Sequence, residues 1–272
     1  MSTPLVKWLG GKRQLLDSLL KKIPKYDCYF EPFFGGGALF FSINPARAVI
    51  NDQNDQLMNL YVQIKDAPES VMKLTESLQD RYNSESTDDS RTQTYYAIRK
   101  EFNQHIANKD YSADAAAHLL FLNKAGFNGI YRVNSQDRYN VPSAHRKYIS
   151  AFEVENVMAV SESLKKCEIL HGDFESACSK AKAGDFVFFD SPYYETFDSY
   201  RAGGFNTEDH IRLFKLFEAL TKKNVSCLLT NSNTDFIKDM YKSYRIKTIG
   251  VKRFVNRDGS NRTGSEVIIT NY

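Results

Sequence analysis

The sequence is poor in the residues that mark several large protein classes. Four cysteines, Cys28, Cys167, Cys178 and Cys227, are scattered through 272 residues with no CxxC pair. That argues against a disulfide-built scaffold or a zinc site, and predicts reduced, partly buried thiols. The five histidines, His105, His118, His145, His171 and His210, are equally dispersed. An ordinary core or surface role is the expectation for each, and no metal is expected. No run approaches the ~20 apolar residues that a membrane span needs. Met1–Gly11 carries Lys7 but no apolar stretch followed by a small-residue cleavage site, so no secretory leader is read there. The expected setting is reducing and cytoplasmic, without a membrane. Internal repeats and low-complexity tracts are also lacking.

Charge of one sign is lacking as well: the net charge is +3, which by itself says little about partners. Its distribution says more. Lys124, Arg132, Arg138, Arg146 and Lys147 stand against Asp137 alone between residues 124 and 148. Lys242, Arg245, Lys247, Lys252, Arg253, Arg257 and Arg262 stand against Asp258 alone between 242 and 262. Two such stretches on a balanced chain fit a polyanion-binding face, and equally two solvated loops.

A hydrophobic content of 42% suffices for one substantial core with a smaller subdomain attached. Cys28–Glu31 reads as a strand ending in a glycine cluster, Ala38–Ser42 as a helix, and Arg47–Ile50 as a second strand ending at Asn51-Asp52. That is the opening of a nucleotide-binding α/β unit. Helical spacing of apolar residues then runs through Gln56–Lys65, Ser70–Arg81, Tyr95–Ile106 and Ala113–Asn123, with a polar loop at Asn83–Ser90. Strand patterns return at Cys167–His171, Asp185–Asp190 and Val225–Thr230, followed in turn by helical patterns at Phe174–Ala181, Thr207–Lys222 and Thr234–Tyr244. The alternation predicts an α/β protein with a largely parallel sheet, helices on its faces and a helical insertion. Arg245–Phe254 and Ser265–Asn271 predict a closing hairpin.

Two segments carry candidate chemistry. In Tyr29-Phe-Glu-Pro-Phe-Phe-Gly-Gly-Gly-Ala38, three glycines between strand and helix let a ligand approach the backbone where a side chain would collide. The spacing is not GxGxxG, so a dinucleotide is not indicated. Asp52, at the end of the second strand, is placed to accept hydrogen bonds from ribose hydroxyls; capping the helix that begins near Asn54 is the competing role. In Phe186-Val-Phe-Phe-Asp190-Ser191-Pro192-Tyr193, an apolar strand runs into an acid, a proline and an aromatic ring. Such a ring can stack on a nucleobase while an acid or carbonyl accepts a hydrogen bond from its amino group.

Together, and in this order, the two segments resemble the pattern of the Dam-type (D12 class, group alpha) S-adenosylmethionine-dependent DNA adenine-N6 methyltransferases. In that pattern a glycine-rich cofactor loop precedes an insertion and an [Asp/Asn/Ser]-Pro-Pro-[Tyr/Phe] tetrapeptide. Lys7-Trp-Leu-Gly-Gly-Lys12 is similar to the family's N-terminal segment; it is not a P-loop, because no Ser or Thr follows Lys12. Asn123-Lys-Ala-Gly-Phe-Asn-Gly-Ile-Tyr-Arg132 resembles the family's recognition hairpin, Tyr139-Asn-Val-Pro142 its Phe-Asn-Val-Pro, and His171-Gly-Asp-Phe174 its Gly-Asp-Phe. Phe254 through Glu266 matches its late basic hairpin in position and charge.

The resemblance implies a Rossmann-like methyltransferase sheet with helices on both faces. Residues 1–55 and 148–272 would form the catalytic domain, and 56–147 an inserted, mostly helical target-recognition domain with a β-hairpin. It implies S-adenosyl-L-methionine as cofactor, S-adenosyl-L-homocysteine as product, no metal, and duplex DNA as partner of a monomer. Trp8, Lys12, Glu31, Phe33, Gly35, Gly37, Asp52, Asp173 and Phe174 would form the cofactor site. Asp190, Ser191, Pro192 and Tyr193 would be catalytic, with Asp190 and the Ser191 carbonyl accepting from the target amine and Tyr193 stacking on a flipped adenine. Lys7, Lys124, Phe127, Asn128, Ile130, Arg132, Asn140, Pro142 and Arg146 would face DNA. In that set Arg132 would pair with a guanine edge and Phe127 would wedge into the duplex, although Phe127 and Ile130 could equally be core residues. The family's usual target is GATC.

Two departures from the pattern stand out. Ser191 occupies a position where the family has Pro, and Ser143-Ala-His-Arg-Lys147 differs from the family's continuation. The first keeps open a weakened or inactive relative acting as a DNA-binding protein; the second, a relaxed recognition site. Methylation of cytosine N4, RNA adenine or a protein glutamine would share the tetrapeptide chemistry. A nicotinamide oxidoreductase is disfavoured by the missing GxGxxG.

Overall fold

A computed structural model describes residues 2–12, 15–194, 204–252 and 263–272. The strands are β1 (Tyr29–Glu31), β2 (Ala48–Asp52), β3 (Cys167–His171), β4 (Phe186–Phe189), β5 (Ser226–Ser232), β6 (Arg245–Lys252) and β7 (Thr263–Thr270). They form one sheet in the order β3-β2-β1-β4-β5-β7-β6. The five strands β3 to β5 along that order run parallel, with Tyr29 paired to both Ala48 and Phe186; β7 is antiparallel to both β5 and β6. Strand order therefore reverses between β1 and β4. In an open α/β sheet the crevice at the carboxyl ends of such strands is where ligands bind.

Alternation along the central strands builds a core on each face. Tyr29, Phe186, Phe188 and Leu228 point to one side, and Phe30, Val187, Phe189, Cys227 and Leu229 to the other. Because both faces are covered, the strands read as continuous apolar runs rather than as an apolar–polar alternation. The second core is covered by α8 (Phe174–Ala177), α9 (Thr207–Lys222) and α10 (Asp235–Met240). On the first lie α2 (Ala38–Ile43), α3 (Asp55–Asp66) and α7 (Val154–Leu164), with α1 (Leu16–Leu20) beside α2.

The helical block expected between β2 and β3 is present as α3, α4 (Pro68–Asn83), α5 (Asp88–Ala107) and α6 (Ala113–Ala125). Helix α6 is buried almost all round, from Ala115 to Phe121, because α3, α4 and α5 all pack on it. Its starting cap is Ser112, whose side chain accepts from the Ala115 N–H. The apolar residues of the block join those of the sheet face in one continuous cluster running from Leu5 to Ile268.

Several boundaries differ from the sequence reading. Helix α8 stops at Ala177, four residues before the expected end, and α10 is shorter at both ends. Helices α1 and α7 were not anticipated. The recognition segment is held by bridges at Gly126–Ser143 and Val133–Tyr139, not by regular strands. The β6–β7 hairpin forms as expected. Its connection, including Arg253, Phe254, Arg257 and Arg262, lies outside the described residues.

The junction between the N-terminal segment and the block rests on Asn123, which is buried. Its Oδ1 accepts from the Lys7 N–H at 2.8 Å, and its Nδ2 donates to the carbonyls of Lys7 and Gly129, both at 2.9 Å. Asn123→Ala would leave buried backbone groups unpaired. We expect a loss of about 2–4 kcal/mol in urea unfolding, well above the effect of Asn134→Ala in the exposed turn.

Candidate active site and nucleic-acid interface

The glycine cluster leaves β1 as a tight turn. The Phe34 N–H donates to Asn51 O and the Gly37 N–H to Phe34 O, both at 2.8 Å. Gly35 and Gly37 both have positive φ, at 49° and 66°. A Cβ on Gly35 would lie 2.7 Å from Trp8 Cδ1, and one on Gly37 would lie 2.5 Å from Phe34 Cζ. Glycine is required at both positions, by conformation and by space.

Asp52 holds that turn from the neighbouring strand. Its Oδ2 accepts from the Gly35 N–H and its Oδ1 from the Asn54 N–H, both at 2.9 Å. The competing capping role belongs instead to Asn54, whose side chain accepts from the Leu57 N–H at 2.9 Å. With Gln53 a third backbone donor, the carboxylate still keeps an acceptor position. The cradle of bare glycines beside a carboxylate with spare acceptor capacity fits a nucleoside-bearing cofactor.

Asp190 sits at the carboxyl end of β4. Its Oδ1 meets Lys12 Nζ at 2.5 Å and accepts from Thr230 Oγ1 at 2.8 Å. Lys12 is buried and also donates to Gly10 O at 2.6 Å. Its ammonium lies 4.7 Å from the centre of the Tyr193 ring. The Tyr193 hydroxyl donates to Glu266 Oε2 at 2.7 Å, which fixes the ring against β7. Ser191 is buried, with its hydroxyl 3.5 Å from Asn231 Nδ2. The Oδ1 of Asn231 accepts from the Tyr194 N–H at 3.0 Å and holds the chain just beyond Pro192 and Tyr193.

Three carboxyl groups therefore stand at the ends of β1, β2 and β4. Burial pushes Glu31 well above the usual carboxylate range, and the charges of Asp190 and Asp52 add to that rise. Glu31 Oε2 accepts from the Tyr29 hydroxyl at 2.8 Å. Burial also raises Asp190, opposed by the Lys12 charge, and raises Asp52, opposed by its backbone donors.

The remaining expected cofactor residues are placed as follows. Asp173 caps α8 and pairs with Arg212 at 2.8 Å. Phe174 is buried, stacked against Phe33 with ring centres 5.2 Å apart. Phe33, half-buried, is the more accessible of the two rings. Trp8 stacks on Tyr131 at 5.4 Å, so the cofactor-side tryptophan rests on the recognition segment.

In that segment Phe127 is 53% exposed, which removes the core reading for it; Ile130 is half-buried against the main cluster. Asn128 is exposed at the tip with φ 58°. Arg132 Nε donates to Asn140 Oδ1 at 2.7 Å and its Nη2 to Asn140 O at 3.3 Å, so its guanidinium is aimed by a neighbour. Pro142 is exposed. Lys7, Lys124 and Arg146 line one groove with Tyr148, Ile149 and Ser150. Sequence reasoning singled out neither Asn51, Tyr131, Thr230, Asn231 nor Arg212. Their partners lie tens of residues away, so no local spacing could reveal them.

A Rossmann-like sheet with a glycine cradle and an acid–Ser-Pro-Tyr turn at its switch point defines the methyltransferase class. More narrowly, residues 8–255 match the D12 class N6 adenine-specific DNA methyltransferases, and the chain belongs to that family. It is 39% identical to the Type II methyltransferase M1.LlaDCHI of Lactococcus lactis subsp. cremoris, over 99% of this chain and 95% of that one. It is 35% identical to the Type II methyltransferase M.MjaIII of Methanocaldococcus jannaschii, over 99% of each. It is 26% identical to the DNA adenine methylase of Escherichia coli K12, over 98% of this chain and 94% of that one. Membership implies S-adenosylmethionine as methyl donor and DNA as substrate. No helix among the described residues is long and apolar enough to cross a membrane.

Two measurements probe this geometry. Gly35→Ala should weaken S-adenosylmethionine binding about 10- to 100-fold by calorimetry, the equivalent of the ~1–3 kcal/mol that a strained φ costs. In the acceptor role that the resemblance implies, Asp190 binds an amine most strongly when ionised, so turnover should fall as pH drops through its raised pKa. Lys12→Met removes the charge that opposes the rise. The acid limb of the kcat profile should then move to higher pH; a shift to lower pH would contradict the pairing.

Proposed function

We propose that this chain methylates the exocyclic N6 of an adenine flipped out of duplex DNA, at GATC or a relaxed form of that site. The observation that carries the reading is the Lys12–Asp190–Tyr193 cluster at the sheet's switch point, in which a cationic nitrogen already occupies an acid beside an aromatic face. An adenine amino group offers the same N–H donors to the acid and its ring the same flat surface to Tyr193.

An exocyclic amine is a weak nucleophile because its lone pair is delocalised into the ring. S-adenosylmethionine supplies an electrophilic methyl group on a sulfonium and leaves as S-adenosylhomocysteine. Among the described residues, both partners of Asp190 engage Oδ1, so Oδ2 is left for an amine N–H. The Ser191 carbonyl is the second acceptor. Two acceptors favour a pyramidal nitrogen with its lone pair directed at the methyl group, and positioning does most of the rest. Asp52 would hold the ribose, Gly35 and Gly37 the methionine end, and Phe33, Asp173 and Phe174 the adenine side. The charges of Asp190 and Asp52 both bear on Glu31, a concentration of acid that a cationic cofactor would offset, which supports a sulfonium ligand.

Residues 56–147 would act as the target-recognition part. There Arg132, pre-aimed by Asn140, is suited to a bidentate contact with guanine. Phe127, exposed at the tip, is suited to fill the gap left by the adenine. Lys124 and Arg146 would contact the backbone, and Lys7, in the same groove, another base. A monomer working in the cytoplasm is the simplest form of this reading. The alternative, an inactive binder, rests on Ser191.

The test is incorporation of labelled methyl from S-adenosylmethionine into two duplexes, one with GATC and one with its adenine replaced. Label in the first alone is expected. No label in either, with folded protein that still binds DNA, would favour the inactive binder. Asp190→Ala should abolish turnover and leave DNA binding measurable. Arg132→Ala should cost about 1–3 kcal/mol of discrimination at its base pair, read as relaxed site preference on a mixed oligonucleotide pool.

A further inference from the structure

Helices α5 and α6 each carry a carboxylate and a histidine one turn apart: Glu101 with His105, and Asp114 with His118. That i, i+4 spacing puts each pair on one helix face. The two faces meet. His105 Nε2 lies 3.2 Å from Asp114 Oδ2, and His118 Nε2 lies 3.4 Å from Glu101 Oε2. The imidazole centres are 4.8 Å apart. One donor atom each from His105, Asp114 and His118 falls within 4.8 Å of the others.

The hydrogen bonds decide which nitrogens are available. His118 Nδ1 faces the Asp114 carbonyl at 2.8 Å; a carbonyl only accepts, so Nδ1 carries the proton. His105 Nδ1 meets Asp110 Oδ2 at 2.7 Å and donates to that carboxylate in the same way. In the neutral rings both Nε2 lone pairs then point at carboxylate oxygens, which is repulsive unless a cation lies between them. Two imidazolium rings in contact would satisfy each carboxylate but repel one another. A single divalent cation satisfies all of them. Metal-bound histidines characteristically donate their other ring N–H to a carboxylate or carbonyl, as both rings do here.

We propose that His105, Asp114 and His118 form a zinc-class cation site that clamps α5 to α6, with His105 and His118 binding through Nε2. Glu101, held by Arg81 through both oxygens at 3.0 Å, lies beside it as an outer partner, and water completes the tetrahedron. The clamp is structural. Asn103 and Arg99 of α5 bond the backbone of Tyr139 and Val141, so fixing α5 against α6 also steadies the recognition segment.

The test uses the full chain, dialysed against EDTA and then titrated with Zn2+ against a chromogenic chelator, with metal content read by mass spectrometry. One Zn2+ per chain and a raised Tm are expected, and Co2+ should give the visible absorption of a tetrahedral site. His105→Gln and Asp114→Asn should each weaken binding at least about 100-fold, beyond the ~10–100-fold that losing an outer partner costs. Both positions are partly exposed, so the variants should keep the parent's circular dichroism; His118 is buried and is left intact. No Zn2+ uptake at micromolar free metal, or uptake that either variant leaves unchanged, would overturn the site.

Discussion

The side-chain amide of Asn123 connects the two halves of this molecule. With one acceptor and two donors satisfied by Lys7 and Gly129, it seats the N-terminal segment against the turn that carries Phe127 and Arg132. Gly129 must be glycine there, because a Cβ would lie 2.7 Å from Lys7 Cδ. One residue further on, Trp8 rests on Tyr131 and closes over Gly35. A buried amide satisfied in this way specifies one geometry, since any shift leaves polar groups unpaired. The glycine cradle and the segment that carries Phe127 and Arg132 are thus registered to each other by these contacts, within the continuous apolar cluster that joins the helical block to the sheet face.

A second constraint is electrostatic. Burial raises each of the three carboxyl groups at adjacent strand ends, the charges of Asp190 and Asp52 add to the rise at Glu31, and Lys12 is the cation that pairs with Asp190. A buried ion pair of this kind does little for stability, because the desolvation of both charges offsets their attraction. Its consequence lies at the site: the Lys12 charge opposes the rise that burial imposes on Asp190. Thr230 and Glu266, from β5 and β7, complete the arrangement by orienting Asp190 and Tyr193. The antiparallel edge of the sheet therefore contributes to the site as well as to the core.

Ser191 departs from the family's proline, yet the chain around it is held. Asn231 reaches the Ser191 hydroxyl and accepts from the Tyr194 N–H, and Ser232 Oγ donates to Tyr194 O at 3.0 Å. Tyr194 in turn stacks on Phe236 at 4.3 Å. Part of the restriction that a proline ring would impose on φ is thus supplied by neighbours, which is why the substitution is compatible with an ordered turn.

The parallel strands, the helix from Thr207 to Lys222 and the glycine turn were legible in the sequence, because period, glycine spacing and apolar runs are local properties of the chain. Helix α7 went unread although Val157, Val160, Ser161 and Leu164 have the i, i+3, i+4, i+7 spacing of a helical face; that face packs against α3 and α4. The Gly-Asp-Phe segment was recognisable as a motif, but not that Phe174 lies beneath Phe33. The histidines looked dispersed because His105 and His118 are thirteen positions apart, on different helices. The sequence alone determined the fold class and the family, and singled out residues 190–193 as the candidate reacting segment. Only the tertiary structure decided that Lys12 pairs with Asp190, that Asn54 rather than Asp52 caps α3, and that Asn123 joins the two halves. Those outcomes depend on which distant groups share a buried space, and unpaired polar groups there are too costly to leave.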